Sequence, residues 1–585
     1  MPGKGETPEP AWPSDDQDSA RGAGTDGVTD ELPVPNATSQ DQPTVWVPKL
    51  VLPPPPPRPA QQQRPLQPPR PPAPAQVPPA GTPAVPMRIE PNGEQRPAPA
   101  TTGDTEPPPI ADTAEADAAP KRRRGLVLSG LAVVLVIAVG VALALPYVSN
   151  RLGLPWAPNL PKGDPPQPVA ATRSLSGPSD SVPPPTGGGV EAALAGPASD
   201  SALGTLTGTV IDPVGGTTLW ERNASQAITP ASTVKVLTAA AALLALDHGS
   251  QLSTRVVAGA EPGTVVLVAG GDVTLSSLPE GQESVYPGAA HLDDLVAQVK
   301  QATGGNVTRV QLDLSAYAGP LSAQGWAAED APSTYAAPVT PAMLDGGRSV
   351  ADDDKSQRHA QPATVLAQEL ASRLGAQVGT PVTTTAPQGG QLLGEVKSAP
   401  LTELVDQFLL HSDNLLADVI ARQVAIATGA EPSFAGSAQA TLDVLQRNGF
   451  DISGAHLSDN SGLSLDDKVP ANLFGDVLAV AAAPDGRGDA RTAKLRPLLG
   501  GLPVAGGSGT LADRYTEGTA VTGRGWVRAK TGTIPSDGIN TLAGVVLDKD
   551  GRVLVFAVMT SGSDTDAGRA ALDTITATLR GCGCQ

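Results

Sequence analysis

The sequence predicts an α+β fold behind a long region that does not fold, and three observations predict it. Strand-like stretches lie at both ends of the part that can fold, helical runs lie between them, and proline crowds the first two hundred residues. With 62 prolines, 64 glycines and only 3% aromatic residues in 585, much of the chain is not core. A net charge of -19 leaves no basic patch of the kind that nucleic acid requires, so no nucleic-acid partner is expected. Five histidines and two cysteines are too few for a His/Cys metal cage, and neither metal nor other cofactor is expected. Cys582 and Cys584 end the chain in a Gly-Cys-Gly-Cys-Gln run. A disulfide across one intervening residue would be strained, so this run is read as a frayed tail with no catalytic role.

Taken in order, residues 1–120 are of low complexity, with prolines from Pro53 to Pro57 and later Pro-Ala and Gln-Pro stretches. Such a segment cannot bury enough apolar surface to offset its ordering entropy and is expected to be disordered or partly polyproline II. Its proline runs could occupy an aromatic groove on a cytoplasmic partner. Lys121-Arg122-Arg123-Arg124 follows, then an uncharged apolar run from Gly125 to Val148. A run of about 24 such residues can cross a bilayer, and the basic cluster before it places the N-terminus in the cytoplasm and the rest outside. Residues 121–148 are therefore expected to anchor a single-pass membrane protein, and residues 149–200, rich in Pro, Gly and Ser, to act as a spacer.

The folded region is expected from near Leu203. Thr205 to Ile211 alternates as a strand, Asp212 to Gly216 turns, and Thr217 to Glu221 returns. Near the C-terminus, Leu542 to Leu547 and Val553 to Met559 make a second hairpin across Asp548-Lys549-Asp550-Gly551, and a helix from Thr565 or Asp566 to Leu579 closes the chain. The stretch 251–395 has its own strands, Thr264 to Ala269 and Val307 to Leu312, and is expected to be one or more inserted subdomains splitting a main domain of 201–250 and 396–585.

The chemistry gathers in three short stretches. Thr229-Pro230-Ala231-Ser232 opens an Ala/Leu-rich helix, and Lys235 lies one turn after Ser232 on the same face. A serine hydroxyl needs a base, and a lysine in a dry site or near a second cation can lose its proton close to neutral pH. Ser232 and Lys235 are thus a candidate nucleophile and base, with the helix N-terminus adding positive potential where an oxyanion would form. Ser412-Asp413-Asn414 lies between two helical runs, Leu401 to Leu410 and Leu415 to Ala427, and Lys530-Thr531-Gly532-Thr533 lies in a strand-like context. A second Ser-Asp-Asn, Ser458-Asp459-Asn460, is followed by Ser461-Gly462-Leu463-Ser464 and reads as a loop, so the first copy is preferred.

In this order S-x-x-K, S-D-N and K-T-G form the pattern of serine β-lactamases and penicillin-binding proteins. With Gly270-Gly271-Asp272-Val273-Thr274 and Ser461-Gly462-Leu463-Ser464 added, residues 203 to 562 resemble the class C low-molecular-mass penicillin-binding proteins, D-alanyl-D-alanine carboxypeptidases and endopeptidases. The resemblance implies a transpeptidase-like α+β fold with a subdomain inserted between the first and second motifs. It implies peptidoglycan stem peptides as substrate and β-lactam antibiotics as inhibitors, and the basic cluster before the apolar run puts this part on the outer, cell-wall side of the membrane. Ser232 would attack the penultimate D-Ala carbonyl with Lys235 as base, and Ser412 and Lys530 would relay a proton to the leaving amine. Asn414 would hold the substrate amide, and Thr531 with Lys530 the terminal carboxylate. The N–H groups of Ser232 and Thr533 would form the oxyanion hole, Gly532 completing the third motif. Asp272 would help recognise the diamino-acid side chain, whereas Leu465-Asp466-Asp467 stands where the family commonly carries a basic residue. A β-lactamase and a non-catalytic wall-binding scaffold are the alternatives. The chain lacks the Glu-x-x-Leu-Asn of class A β-lactamases, and its three motifs are intact.

Overall fold

The computed structural model describes Pro178 and residues 182–485 and 489–583. The proline-rich tail, the apolar run at 125–148 and most of the proposed spacer lie outside the described residues. Among the described residues no helix is long and apolar enough to cross a membrane.

The spacer reading does not extend to residue 200. Gly187–Leu194 forms a helix, α1, capped by the Thr186 hydroxyl, which accepts the Gly189 N–H at 3.0 Å. Val190 and Leu194 are fully buried, and this burial orders a stretch whose three glycines alone would favour coil.

The main sheet holds β1 (Thr205–Asp212), β2 (Thr217–Arg222), β10 (Val527–Ile534), β11 (Ile539–Leu547) and β12 (Val553–Ser561). Its order is β10-β11-β12-β1-β2, antiparallel throughout, so that the first and last strands of the folded region pair at its centre. Strand periodicity divides its side chains between two cores. Leu554, Phe556 and Val558 face α1 and the C-terminal helix α10 (Thr565–Gly581), while Val555, Ala557 and Met559 face the helical half of the molecule. Cys582, read as part of a frayed tail, is instead buried and disulfide-bonded at the end of α10.

That helical half is built on α2 (Val234–Ala245), which is buried from Val234 to Leu244 and apolar on nearly every face. Around it stand α5 (Leu401–Leu410), α6 (Asn414–Thr428), α7 (Phe434–Arg447), α8 (Ala471–Ala482) and α9 (Ala490–Gly501). The short strands β3 (Ala227–Ile228) and β9 (Val469–Pro470) pair beside the entry to α2.

Between α2 and α5 lies a second five-stranded sheet, of order β7-β6-β5-β4-β8. Its strands are β4 (Ser253–Ala258), β5 (Thr264–Ala269), β6 (Arg309–Asp313), β7 (Gln377–Thr383) and β8 (Leu392–Lys397). Val256, Leu267, Val310 and Leu312 share a core with α3 (Leu292–Thr303) and α4 (Pro362–Leu374). The connection from β6 to α4 leaves this unit and runs back over the helical half. There the Trp326 indole N–H donates to Asp459 at 2.6 Å.

Candidate active site

Ser232 sits in a 3-10 turn, Ala231–Thr233, that leads into α2 rather than in the helix itself. The turn is strained, because Ala231 has φ +48°. Neighbours hold it there. The Thr233 and Thr541 hydroxyls both donate to the Pro230 carbonyl, at 2.6 and 3.0 Å. Gly462, at φ +76°, passes so near that a Cβ on it would lie 1.9 Å from the Ala231 carbonyl oxygen. Gly462→Ala is therefore expected to cost about 2 kcal/mol of stability and to displace the nucleophile's turn, checked by thermal unfolding and by acylation rate measured together.

Lys235 is fully buried one turn on, and its Nζ lies 3.1 Å from Ser232 Oγ. It donates to Asn414 Oδ1 and to the Ser461 carbonyl, both at 2.6 Å. A neutral amine has two N–H donors and one lone pair. With both donors taken, the lone pair is left for the Ser232 hydroxyl. Burial pulls the Lys235 ammonium down to about 8, against the opposing pull of Asp459, Asp418, Asp413 and Asp467.

The second serine comes from the α5–α6 link. Ser412 has φ +60°, and Asp413 caps α6 by accepting the Leu416 N–H at 3.1 Å, which starts the helix at Asn414 and aims Asn414 at Lys235. Asn414 Nδ2 donates to the Tyr335 carbonyl at 3.4 Å, so its amide is held at both ends.

The third motif lies on β10, the edge strand of the main sheet. Lys530 and Gly532 share one face. The fully buried Lys530 donates to Ser412 Oγ at 2.9 Å and to the Thr531 carbonyl at 2.8 Å. A Cβ on Gly532 would approach the Pro230 oxygen to 2.8 Å, so the absence of a side chain lets β10 lie against the Ser232 turn. The Ala529 N–H bonds outward to Pro503. By the strand period the N–H groups of Thr531 and Thr533 point to the same open edge. Thr531 and Thr533 occupy the opposite face, beside the Thr510 hydroxyl at 2.7 Å and Arg569 Nε at 3.3 Å respectively. Burial, and then the charge of Lys235, holds Lys530 well below the ordinary lysine range.

Six of the nine sequence-predicted residues, Ser232, Lys235, Ser412, Asn414, Lys530 and Gly532, thus meet across three elements, and Thr531 and Thr533 flank Gly532 on the same strand. Asp272 does not join them. It is 1% exposed, and one carboxylate oxygen accepts the Thr274 N–H and hydroxyl at 2.9 and 2.6 Å. Burial raises its pKa, and its second oxygen is buried without a hydrogen-bond partner.

The second Ser-Asp-Asn copy is a scaffold beside the site. Asp459 accepts the N–H groups of Ser461, Gly462 and Ser464, and so presents the Ser461 carbonyl to Lys235. Asp418, one turn after Asn414 on α6, accepts the Asn460 N–H at 2.8 Å. Burial and then Asp459 raise the Asp418 pKa well above the carboxylate range. The repeated triplet and the Ser461-Gly462-Leu463-Ser464 stretch mark this loop in the sequence, but nothing there marks Asp418.

Comparison with known proteins agrees with the geometry. Residues 190–365 and 349–580 match the D-Ala-D-Ala carboxypeptidase 3 (S13) family. A carboxypeptidase of Mycobacterium tuberculosis is 42% identical over 423 residues, covering 72% of this chain and 90% of the relative. The carboxypeptidase DacB of Mycolicibacterium smegmatis is 42% identical over 469 residues, covering 79% and 98%. The crystal structure of penicillin binding protein 4 (dacB) from Haemophilus influenzae superimposes with a TM-score of 0.54 at 21% identity, over 67% of this chain and 98% of that one, and shares the α+β fold. With the matched family covering both halves of the split catalytic body and the sheet inserted between them, this chain belongs to the D-Ala-D-Ala carboxypeptidase 3 (S13) family.

Proposed function

We propose that this serine D-Ala-D-Ala carboxypeptidase trims peptidoglycan stem peptides through an acyl-enzyme on Ser232. The observation that carries the assignment is a pair of fully buried lysines, each within hydrogen-bond distance of a different serine. Lys235, in its neutral form, takes the Ser232 proton as Oγ attacks the penultimate D-Ala carbonyl. The N–H groups of Ser232 and Thr533 hold the oxyanion. As the C–N bond breaks, the departing D-Ala amine receives a proton through Ser412 and Lys530. Water then cleaves the Ser232 ester, releasing the shortened peptide as its carboxylic acid and restoring the hydroxyl. Asn414 holds the substrate amide. Thr531 and Thr533 take the terminal carboxylate, with Arg569 adding a cation behind Thr533. A β-lactam would acylate Ser232 by the same steps and act as an inhibitor. The DD-endopeptidase reaction uses the same machinery on a D-Ala joined to the D-centre amine of a neighbouring stem peptide's diamino acid.

The test is release of free D-alanine from a peptide ending in D-Ala-D-Ala, beside the same peptide with its terminus amidated. One equivalent of D-alanine from the free acid, with the amide cut far more slowly, supports the carboxypeptidase. Release of monomers from a cross-linked stem-peptide dimer faster than D-alanine from the free acid would favour the endopeptidase.

The apolar run 125–148 after Lys121-Arg122-Arg123-Arg124 supports a further proposal, a single membrane span with the N-terminal tail in the cytoplasm and the catalytic part at the cell wall. Deleting 121–148 is expected to move the protein from the membrane to the soluble fraction. In spheroplasts, added protease is expected to reach the catalytic part and spare the tail. Retention in the membrane without the span would overturn this.

A further inference from the structure

Asp413, the middle residue of the second motif, is nearly sealed from solvent and faces three side chains from the inserted region. Its Oδ2 accepts the Tyr286 hydroxyl at 2.7 Å, Arg348 Nη2 at 3.2 Å and Arg358 Nη2 at 3.4 Å. Both arginine side chains are 2% exposed. They stand side by side, because Arg348 and Arg358 are paired across a short antiparallel bridge. Arg348 Nη1 also donates to the Tyr286 hydroxyl at 2.8 Å, and Arg358 Nη1 to the Gly346 carbonyl at 2.9 Å.

The hairpin is built to bring them there. Asp345, Gly346 and Gly347 carry φ of +52°, +66° and +78° in succession. The Asp345 carboxylate fixes this turn from within by accepting the Ser277 N–H. Such a run is costly for Asp345 and persists because its surroundings hold it. A buried cluster of two cations on one carboxylate is also a poor source of net stability, since the desolvation cost offsets the attraction. Its effect is geometric. The other oxygen of Asp413 caps α6, and its chain neighbours are Ser412, which meets Lys530, and Asn414, which meets Lys235.

We propose that Arg348 and Arg358 are positioning residues for the reaction, through which the inserted region locks Ser412 and Asn414 against the two lysines. The inserted sheet is then part of the catalytic apparatus, and a molecule lacking this hairpin would bind substrate but acylate slowly. The inference rests on the assignment of Ser412 and Asn414 above.

The test is stopped-flow acylation of the full-length protein by a fluorescent penicillin, which separates the dissociation constant of the initial complex from the acylation rate constant. Arg358→Met is expected to lower the rate constant by about 10²-fold, the cost of a misplacement near 1 Å, with the dissociation constant within about threefold of the parent. Arg358→Lys should recover part of the rate. Asp413→Asn keeps a capping side chain and removes the charge that the arginines hold. Combined with Arg358→Met it should be no slower than the worse single variant. Arg309→Met, whose ion-pair partner Glu261 is exposed at the far side of the inserted sheet's β5–β6 pair, should match the parent.

Unchanged acylation in folded Arg358→Met and Asp413→Asn would overturn the proposal. So would fully additive losses, or losses matched by an equal fall in the folded fraction on thermal unfolding. If the parent protein itself is not acylated, the active-site assignment has failed instead.

Discussion

Ser232→Ala is expected to reduce D-alanine release from a D-Ala-D-Ala peptide to background, a loss of about six orders of magnitude by analogy with other serine nucleophiles. The loss should fall on the chemical step. Ser232 is half-buried in the middle of a strained turn, and its replacement removes one oxygen without touching the contacts of Pro230, Thr233 or Gly462 that hold the turn. The variant should therefore fold with an unchanged melting temperature and still bind the peptide. Residual turnover above one part in a thousand, measured on protein free of parent enzyme, would mean that another group attacks the carbonyl.

The second large effect belongs to Lys235. Lys235→Gln keeps a polar side chain that can reach part of the same cavity but removes the base, and the expected loss in acylation rate is about 10⁴-fold. The parent enzyme should show the sign of this role in its pH profile. The neutral amine is the active form, so acylation should rise with pH through about 8 and then level off. At neutral pH roughly a tenth of the molecules then hold the base ready, against well under one in a thousand for an unshifted lysine. A rate that falls across the same range would contradict Lys235 as the base. Asp418→Asn is expected to push the rising limb to lower pH, because any fraction of the Asp418 carboxylate that is charged favours the Lys235 ammonium.

The three motifs were legible in the sequence because the reaction needs particular atoms in a particular order, and their order along the chain restricts the fold to one that can bring them together. Helix Leu401–Leu410 and strand Thr264–Ala269 fall where the apolar pattern puts them, the helix burying one face and the strand nearly all of its residues. Helix α1 was not legible, because what orders Gly187–Leu194 is the burial of Val190 and Leu194 against residues distant in sequence. The surroundings of Asp272 were not legible for a related reason. The Gly-Gly-Asp-Val-Thr string does not show that one carboxylate oxygen bonds Thr274 while the other is buried without a partner. The arginines on Asp413 left no local trace at all. Arg348 and Arg358 lie 65 and 55 residues before the aspartate they hold, in a stretch with no helical or strand period.

The measurement that bears most directly on the central claim is the site of β-lactam attachment in the full-length protein. After brief exposure to benzylpenicillin, intact mass should rise by one penicilloyl group, and peptide mapping should place it on Ser232. The adduct should persist for many minutes after free drug is removed. An adduct on Ser412 or another serine, or rapid conversion of the drug with no persistent adduct, would contradict the acyl-enzyme mechanism built on Ser232 and Lys235.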